Sequence, residues 1–461
     1  MRKISPAALI LSLTLATAAC APATPTNTAP PSNANASNAN AAATPTASPS
    51  STATPAGLES SEAEAPVTLP VLDALFADES FAGALKSKVQ LTDEQIERLR
   101  QVAREGTASL SESEAGKGKT SEATRIAAEK IKSVIGEEKT ASFAAFVRER
   151  WGEGVLPSKP NSVPTDTRIV VNAPAYRMDV FQSGQLVKTY KVGIGYPEFP
   201  LPQGMRKADT IIFNPTWTPP DEPWVKGKVK PGEKIEAGSK LNPLGPIKIP
   251  IGLPSLIHGG KNPSRLGTFA SHGCVGLTSP MVQDFAVLLA EAAGAQLTSA
   301  QVAAYAQKRD KTQAVKLPAP VPVELRYETI VVEDGRLHIY RDVYDKGTNT
   351  EENLRKVLEV YGVRLEDLSE QERTQIKDAL QAMARDAYGN PTNPTPEKGK
   401  KKQQSGRVTY GVKGDKEVVI EIAKLAGKGY PAPVNLMPAP PQPKQETPVK
   451  KETTPKKKSS G

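Results

Sequence analysis

Residues 21–58, APATPTNTAPPSNANASNANAAATPTASPSSTATPAGL, contain no charged side chain and almost nothing that burial could protect. Such a stretch lacks the apolar surface to offset the entropy of ordering it. It reads as a disordered Ala/Pro/Ser/Thr/Asn-rich tether over 21–66, partly polyproline II. Its root-mean-square reach is on the order of 35 Å, from about 5–6 Å times the square root of residue number. At the other end, residues 391–461 form a basic low-complexity tail. The 42 prolines of the 461-residue chain gather in a few such stretches, and aromatics supply 5%. Any substantial core is therefore confined to about residues 67–390.

The formal net charge of +9 sits mostly in that tail. Lys398, Lys400, Lys401 and Lys402 face only Glu397, and Lys444, Lys450, Lys451, Lys456, Lys457 and Lys458 face only Glu446 and Glu452. Lysine tails attract polyanions in general. No stripe of Arg and aromatic residues accompanies them, so nucleic acid is not expected as a partner.

The first twenty residues pair a short positive region, Arg2 and Lys3, with the apolar run ISPAALILSLTLA, too short to span a bilayer. TAAC follows, ending at Cys20. Small residues before a cysteine resemble a bacterial lipobox, with Thr17 where Leu is usual. Residues 1–20 are read as a signal peptide with Cys20 as the lipidation site. An ordinary signal peptide cleaved near Ala19 is the alternative. The expected location is the periplasm or cell envelope, with the protein held to a membrane through its N-terminal lipid.

Residues 67–155 carry helical periodicity. Thr92 and Gln95 are spaced as a capping box, with Ile96, Leu99 and Val102/Ala103 on one face. Ile126, Lys130/Ile131 and Val134 recur at helical spacing in the next segment. A Pro/Ser/Thr linker covers 156–167. From Arg168 the pattern alternates, with Tyr176, Met178 and Val180 on one side and a turn at Ser183-Gly184. A second strand pair is expected around Asp334-Gly335, with Val323, Leu325 and Tyr327 alternating. These bound a β-rich domain at 168–345 with a C-terminal hairpin extension. Ser279-Pro280 opens a helix bearing Met281, Phe285, Leu288 and Leu289. Residues 346–390 return to helix, with a capping box at Ser369 and Glu372. An isolated hairpin around Gly414-Asp415 is expected within 406–430. The fold class is multidomain: a β-rich α+β domain flanked by small all-α segments and disordered tails.

The chain has two cysteines and three histidines. If Cys20 is lipidated or removed, Cys274 has no disulfide partner. A lone thiol in an exported protein is either buried and inert or there to react. It lies in ASHGCVGL, residues 270–277, on a loop just before a helix. A nucleophilic thiol needs a base, a group holding that base, and donors for the oxyanion. His258 and His272 are the nearby histidines. Gly273 lets a carbonyl approach the backbone, and Gly259 and Gly260 leave room beside His258. A metal centre from His258, His272 and Cys274 lacks a fourth ligand and an HExxH-type base, so no metal and no cofactor are expected. A buried structural cysteine stays open at this point.

The stretch SLIHGGKNPSRLGTFASHGCVGL, residues 255–277, is similar to the signature of the L,D-transpeptidases of the YkuD-domain family: an upstream His-Gly, a short loop, then Ser-His-Gly-Cys. The interval from His258 to Cys274 resembles the periplasmic branch that anchors lipoproteins or crosslinks peptidoglycan. The stretch from Arg168 to Gly195, PLPQG at 200–204, NPTWTPP at 214–220 and NPLGP at 242–246 resemble further family segments in order. The resemblance covers about residues 168–328. It implies mixed β-sandwich-like sheets with a helix after the catalytic cysteine.

The resemblance also implies roles. Cys274 would be the nucleophile, attacking the amide after the third residue of a peptidoglycan tetrapeptide stem and releasing D-alanine. His258 would be the general base, oriented by the Gly259 carbonyl. His272 would support the site, Ser271 would position the loop, and the amides of Gly273 and Cys274 would bind the oxyanion. The partners would be peptidoglycan stem peptides, with a second stem or an envelope lipoprotein as acyl acceptor. Gly276 departs from the Arg or Asn usual two residues after the nucleophile. Gly260 stands where Thr is frequent, and Leu256 where an aromatic is. An L,D-carboxypeptidase or amide hydrolase of the same fold, and a wall-binding scaffold with a weak site, are the alternatives.

Overall fold

At Arg168 the spacing of apolar residues changes from helical to alternating, and the backbone changes with it. The computed structural model describes residues 67–108, 119–151, 156–219, 225, 229–387, 389–392 and 412–436. The expected signal sequence with Cys20, the tether over 21–66, most of the basic tail and the first residues of the 406–430 hairpin lie outside the described residues.

The N-terminal helices are α1 (Leu69–Leu75), α2 (Glu79–Lys88), α3 (Asp93–Ala108), α4 (Thr120–Ile135) and α5 (Glu137–Trp151). They share a core of their own that includes Leu72, Phe81, Leu99, Ile131 and Phe143. The capping box forms: Gln95 N–H donates to Thr92 Oγ1, and Thr92 N–H to Gln95 Oε1, both at 3.1 Å. The buried face of α4 is rotated from the expected one. Ala127, Ile131 and Ile135 are buried, while Ile126 is exposed. Spacing of four defines the face here, and Ile126 falls one residue off it.

The central domain is built on β1 (Arg168–Asn172), β2 (Arg177–Gln182), β3 (Gln185–Lys191), β4 (Ile194–Gly195), β5 (Gly204–Phe213), β6 (Ile247–Pro250), β7 (Leu256–His258), β8 (Phe269–Ser271) and β9 (Val275–Gly276). Helices α6 (Ser279–Ala292) and α7 (Ser299–Gln307) follow, then the long strand β10 (Gln313–Arg326). Eight strands form one sheet in the order β3-β2-β1-β10-β5-β6-β7-β9. The β1/β10 and β7/β9 pairs are parallel and the other pairs antiparallel. β4 and β8 form a separate parallel pair. Ile169, Val171, Met178 and Val180 alternate into the core, which α6 closes with Val282, Phe285 and Leu289. Charged side chains are buried in this sheet as well, among them Arg206 of β5, which is only 4% exposed.

The C-terminal part corrects the expected partition. Residues 321–326, read as half of the second hairpin, belong to β10 inside the large sheet. The hairpin is β11 (Ile330–Glu333) with β12 (Arg336–Tyr340), turning at Asp334 and Gly335, both at positive φ. It shares a core with α8 (Glu351–Val360) and α9 (Glu370–Met383) rather than extending the eight-stranded sheet. The strand expected in an isolated hairpin is β13 (Glu417–Glu421), which pairs antiparallel with β12 as the third strand of that small sheet. Its apolar residue Ile420 is buried by the module's helices, which a free hairpin could not offer. Beyond it, Val434 and Asn435 reach β3: Thr189 N–H donates to the Val434 carbonyl at 2.8 Å.

Candidate active site

Strands β7 and β9 place the two candidate side chains, His258 and Cys274. They pair in parallel, with Ile257 opposite Val275 and His258 opposite Gly276. Ile257 and Val275 point into the core and are fully buried. Side chains alternate along a strand, so His258 turns away from the core face that Ile257 occupies, and Cys274 sits on the bend that leads into β9, one residue before core-facing Val275. Among the described residues, no hydrogen bond joins the imidazole to the thiol. Unliganded sites commonly hold such pairs loosely.

His258 is buried, and its Nδ1 lies 2.8 Å from the Gly259 carbonyl. With that bond made by an Nδ1–H, Nε2 is the ring's acceptor. Burial pushes the ring's pKa down to about 3; the Lys261 ammonium adds to this, and the Gly259 and Leu244 carbonyls oppose it. The ring is therefore neutral at working pH. Cys274 is part-buried, and desolvation raises its thiol above the ordinary value. The Leu256 backbone N–H and the Lys261 ammonium act in the opposite direction. Burial thus favours the uncharged form of both side chains.

Ser271, at the end of β8, clamps the turn. The Cys274 N–H donates to Ser271 Oγ at 2.9 Å, and Ser271 Oγ–H donates to the Cys274 carbonyl at 2.5 Å. This changes the expectation for the oxyanion donors. The Cys274 amide is already engaged, whereas among the described residues nothing accepts from the Gly273 N–H. Gly273 has φ +91°, a conformation that side-chain-bearing residues rarely adopt. His272 lies on the turn between Ser271 and Gly273, against an aromatic wall. Its ring packs against Tyr196 and Phe199, at centroid distances of 5.2 and 4.9 Å.

Tyr196 and Phe199 were not legible in the sequence as site residues, nor was Lys261. Lys261 follows the His258-Gly259-Gly260 run, and its Nζ donates to the Ala270 carbonyl at 2.7 Å. A cavity of about 470 Å³ lies nearby, lined in part by Asn214, Lys240, Asn242, Gly245, Gln283 and Arg309. It borders the site through Gly245 and Pro246, which pack on Gly259 and Gly260; Cys274, His258 and Lys261 do not line it.

Residues 166–303 match the YkuD family model, described as the L,D-transpeptidase catalytic domain. No curated protein matches the chain. Among solved structures it is similar to the Ldtfm-avibactam carbamoyl enzyme, at 18% identity over 35% of this chain and 49% of that one, with a TM-score of 0.23. It is similar to the catalytic domain of the E. faecium L,D-transpeptidase, at 16% identity over 36% of this chain and 100% of that one, with a TM-score of 0.23. The L,D-transpeptidase from Mycobacterium smegmatis matches at 15% identity over 35% of this chain and 58% of that one, with a TM-score of 0.22. This chain thus spans about half the length of the first of these.

Proposed function

We propose, from a chain that carries an L,D-transpeptidase catalytic domain of the YkuD family over residues 166–303, that Cys274 forms an acyl-enzyme with a peptidoglycan tetrapeptide stem. The observation that carries this reading is the parallel pairing of β7, which ends at His258, with β9, which starts one residue after Cys274, together with the His258 ring pinned by the Gly259 carbonyl.

His258 Nε2 takes the thiol proton as sulfur attacks the carbonyl carbon after the third stem residue. The Gly273 N–H supports the oxyanion. The C–N bond breaks, the amine leaves with the proton from the imidazolium, and D-alanine departs. An acceptor amine attacks the thioester, gives its proton to His258, and thiolate leaves. The acceptor is a second stem peptide, giving a 3→3 crosslink, or a lysine of an envelope protein. A lipid on Cys20 would hold the enzyme at a membrane, with residues 21–66 as its reach toward the wall.

Purified protein incubated with tetrapeptide muropeptides, with Cys274→Ala as control, tests the reading. Crosslinked dimers that vanish in the control support it. Tripeptide alone would make water the acceptor and the protein an L,D-carboxypeptidase. Neither product, together with no mass adduct on exposure to a carbapenem, leaves the scaffold alternative. The anchor has its own test: Cys20→Ala should release the protein from the membrane fraction, and unchanged fractionation removes the lipid from the account.

A further inference from the structure

Gly276 lacks a side chain because another residue's side chain already fills its place. A Cβ at 276 would stand 2.7 Å from Lys261 Cγ and 2.8 Å from Lys261 Cε. Contacts that short do not occur, so a larger residue there would have to displace the lysine. Gly276 is also fixed by its backbone: it exchanges two hydrogen bonds with Gly193, at 2.8 and 2.9 Å. The Lys261 chain therefore crosses the strand that carries the nucleophile. It is steered there from both ends, by its N–H donating to the Leu277 carbonyl at 3.0 Å and its Nζ donating to the Ala270 carbonyl at 2.7 Å.

We infer that Lys261 is the counter-charge of Cys274: its ammonium, laid across Gly276, favours the thiolate that attacks the substrate. This rests on the reading of Cys274 as nucleophile and adds the group that makes the sulfur nucleophilic. The groups facing Lys261 fit the role. They are the Cys274 thiol, the His258 ring and the Arg265 guanidinium, with His272 on the adjoining turn and held by aromatic rings. Among the described residues, no carboxylate pairs with Lys261 to neutralise it. Arg265 is itself engaged, donating to the Tyr196 hydroxyl and the Phe269 carbonyl. Desolvation pulls the lysine down to about 8 and Arg265 contributes, while the thiol holds it up. The ammonium that favours thiolate also disfavours imidazolium, so it assists ionisation of the sulfur while holding the His258 ring in its neutral form.

The test reads the thiol directly. The rate of Cys274 alkylation by iodoacetamide is followed against pH in the full chain, with Cys20→Ser in every variant so that a single thiol reacts. Lys261→Met keeps the methylenes over Gly276 and removes the charge. Its alkylation midpoint should rise by about one unit or more, lowering the rate at pH 7 about tenfold. Lys261→Arg should hold the midpoint near that of the parent. In Lys261→Ala/Gly276→Arg the vacated space accepts a guanidinium, and the midpoint should fall below that of Lys261→Ala. A midpoint unchanged in both Lys261→Met and Lys261→Gln, with melting temperatures intact, overturns the inference. That outcome is independent of whether the protein transfers stem peptides, so failure here and failure of the transpeptidase reading are separable.

Discussion

Thr68 donates its hydroxyl to the Glu198 carbonyl at 2.7 Å, linking the N-cap of α1 to a loop 130 residues further along the chain. Thr120, the first residue of α4, does the same to the Pro197 carbonyl, also at 2.7 Å. The loop they hold carries Tyr196 and Phe199, the rings that pack on His272. The helical segment is thus fastened to the wall of the candidate site at two adjacent carbonyls.

Removing both hydroxyls should loosen that wall. Thr68→Val and Thr120→Val each leave a carbonyl without its partner, at about 1–3 kcal/mol apiece. Amide hydrogen exchange at residues 196–201 should accelerate in the double variant, more than in the core strands β1 and β10. Exchange that stays at the wild-type rate would detach the helices from the site.

The buried ring of His258 should leave a signature in stability against pH. The unfolded imidazole takes a proton near pH 6.5, and the folded ring only near 3. Between these values the unfolded state binds more protons, so stability rises with pH across that window. Urea denaturation from pH 4 to 6 should show about 1.4 kcal/mol per pH unit in the wild type beyond that in His258→Gln. Parallel curves would place the ring in solvent.

Arg206 is a charge without a partner. Among the described residues, none of its three guanidinium nitrogens is hydrogen-bonded, and burial alone pushes it down to about 9. Replacing it by leucine should raise stability by about 1–4 kcal/mol, the gain seen when buried ions give way to apolar side chains. The melting temperature measures this directly; a lower value in Arg206→Leu would assign the arginine a partner.

Ser271→Ala removes both bonds that close the Cys274 turn. On the proposed reading, acyl-enzyme formation, followed by intact mass, should slow by about tenfold or more as Cys274 loses its fixed position. Ser271→Thr, which keeps the hydroxyl, should recover most of the rate. Equal rates in the alanine variant would make the clamp dispensable.

The sequence held much of this site because local motifs carry it. Alternation located the strands on either side, Ser279-Pro280 marked α6, and the His-Gly and Ser-His-Gly-Cys segments named His258 and Cys274, which lie at the end of β7 and just before β9. What it withheld depends on contacts between distant segments. Lys261 looks like an ordinary loop lysine until Gly276 is seen beneath it. Arg206 sits in an alternating strand like any polar residue, and periodicity does not reveal that its face is covered. Tyr196 and Phe199 acquire meaning only when His272 folds against them. β13 has its partner, β12, some eighty residues upstream, so its local pattern suggested a hairpin of its own.

The reach of Val434 to β3 has one more consequence. β3 is a terminal strand of the eight-stranded sheet, and the edge of a sheet invites strands from other molecules. The chain's own late segment takes that place. Thr189 gives its N–H to Val434 and receives the Val434 N–H on its hydroxyl, while Asn435 reaches the Val187 carbonyl. Residues 430–436 thus cover the open edge of β3 with the chain's own backbone and guard it against strand-to-strand pairing with other molecules.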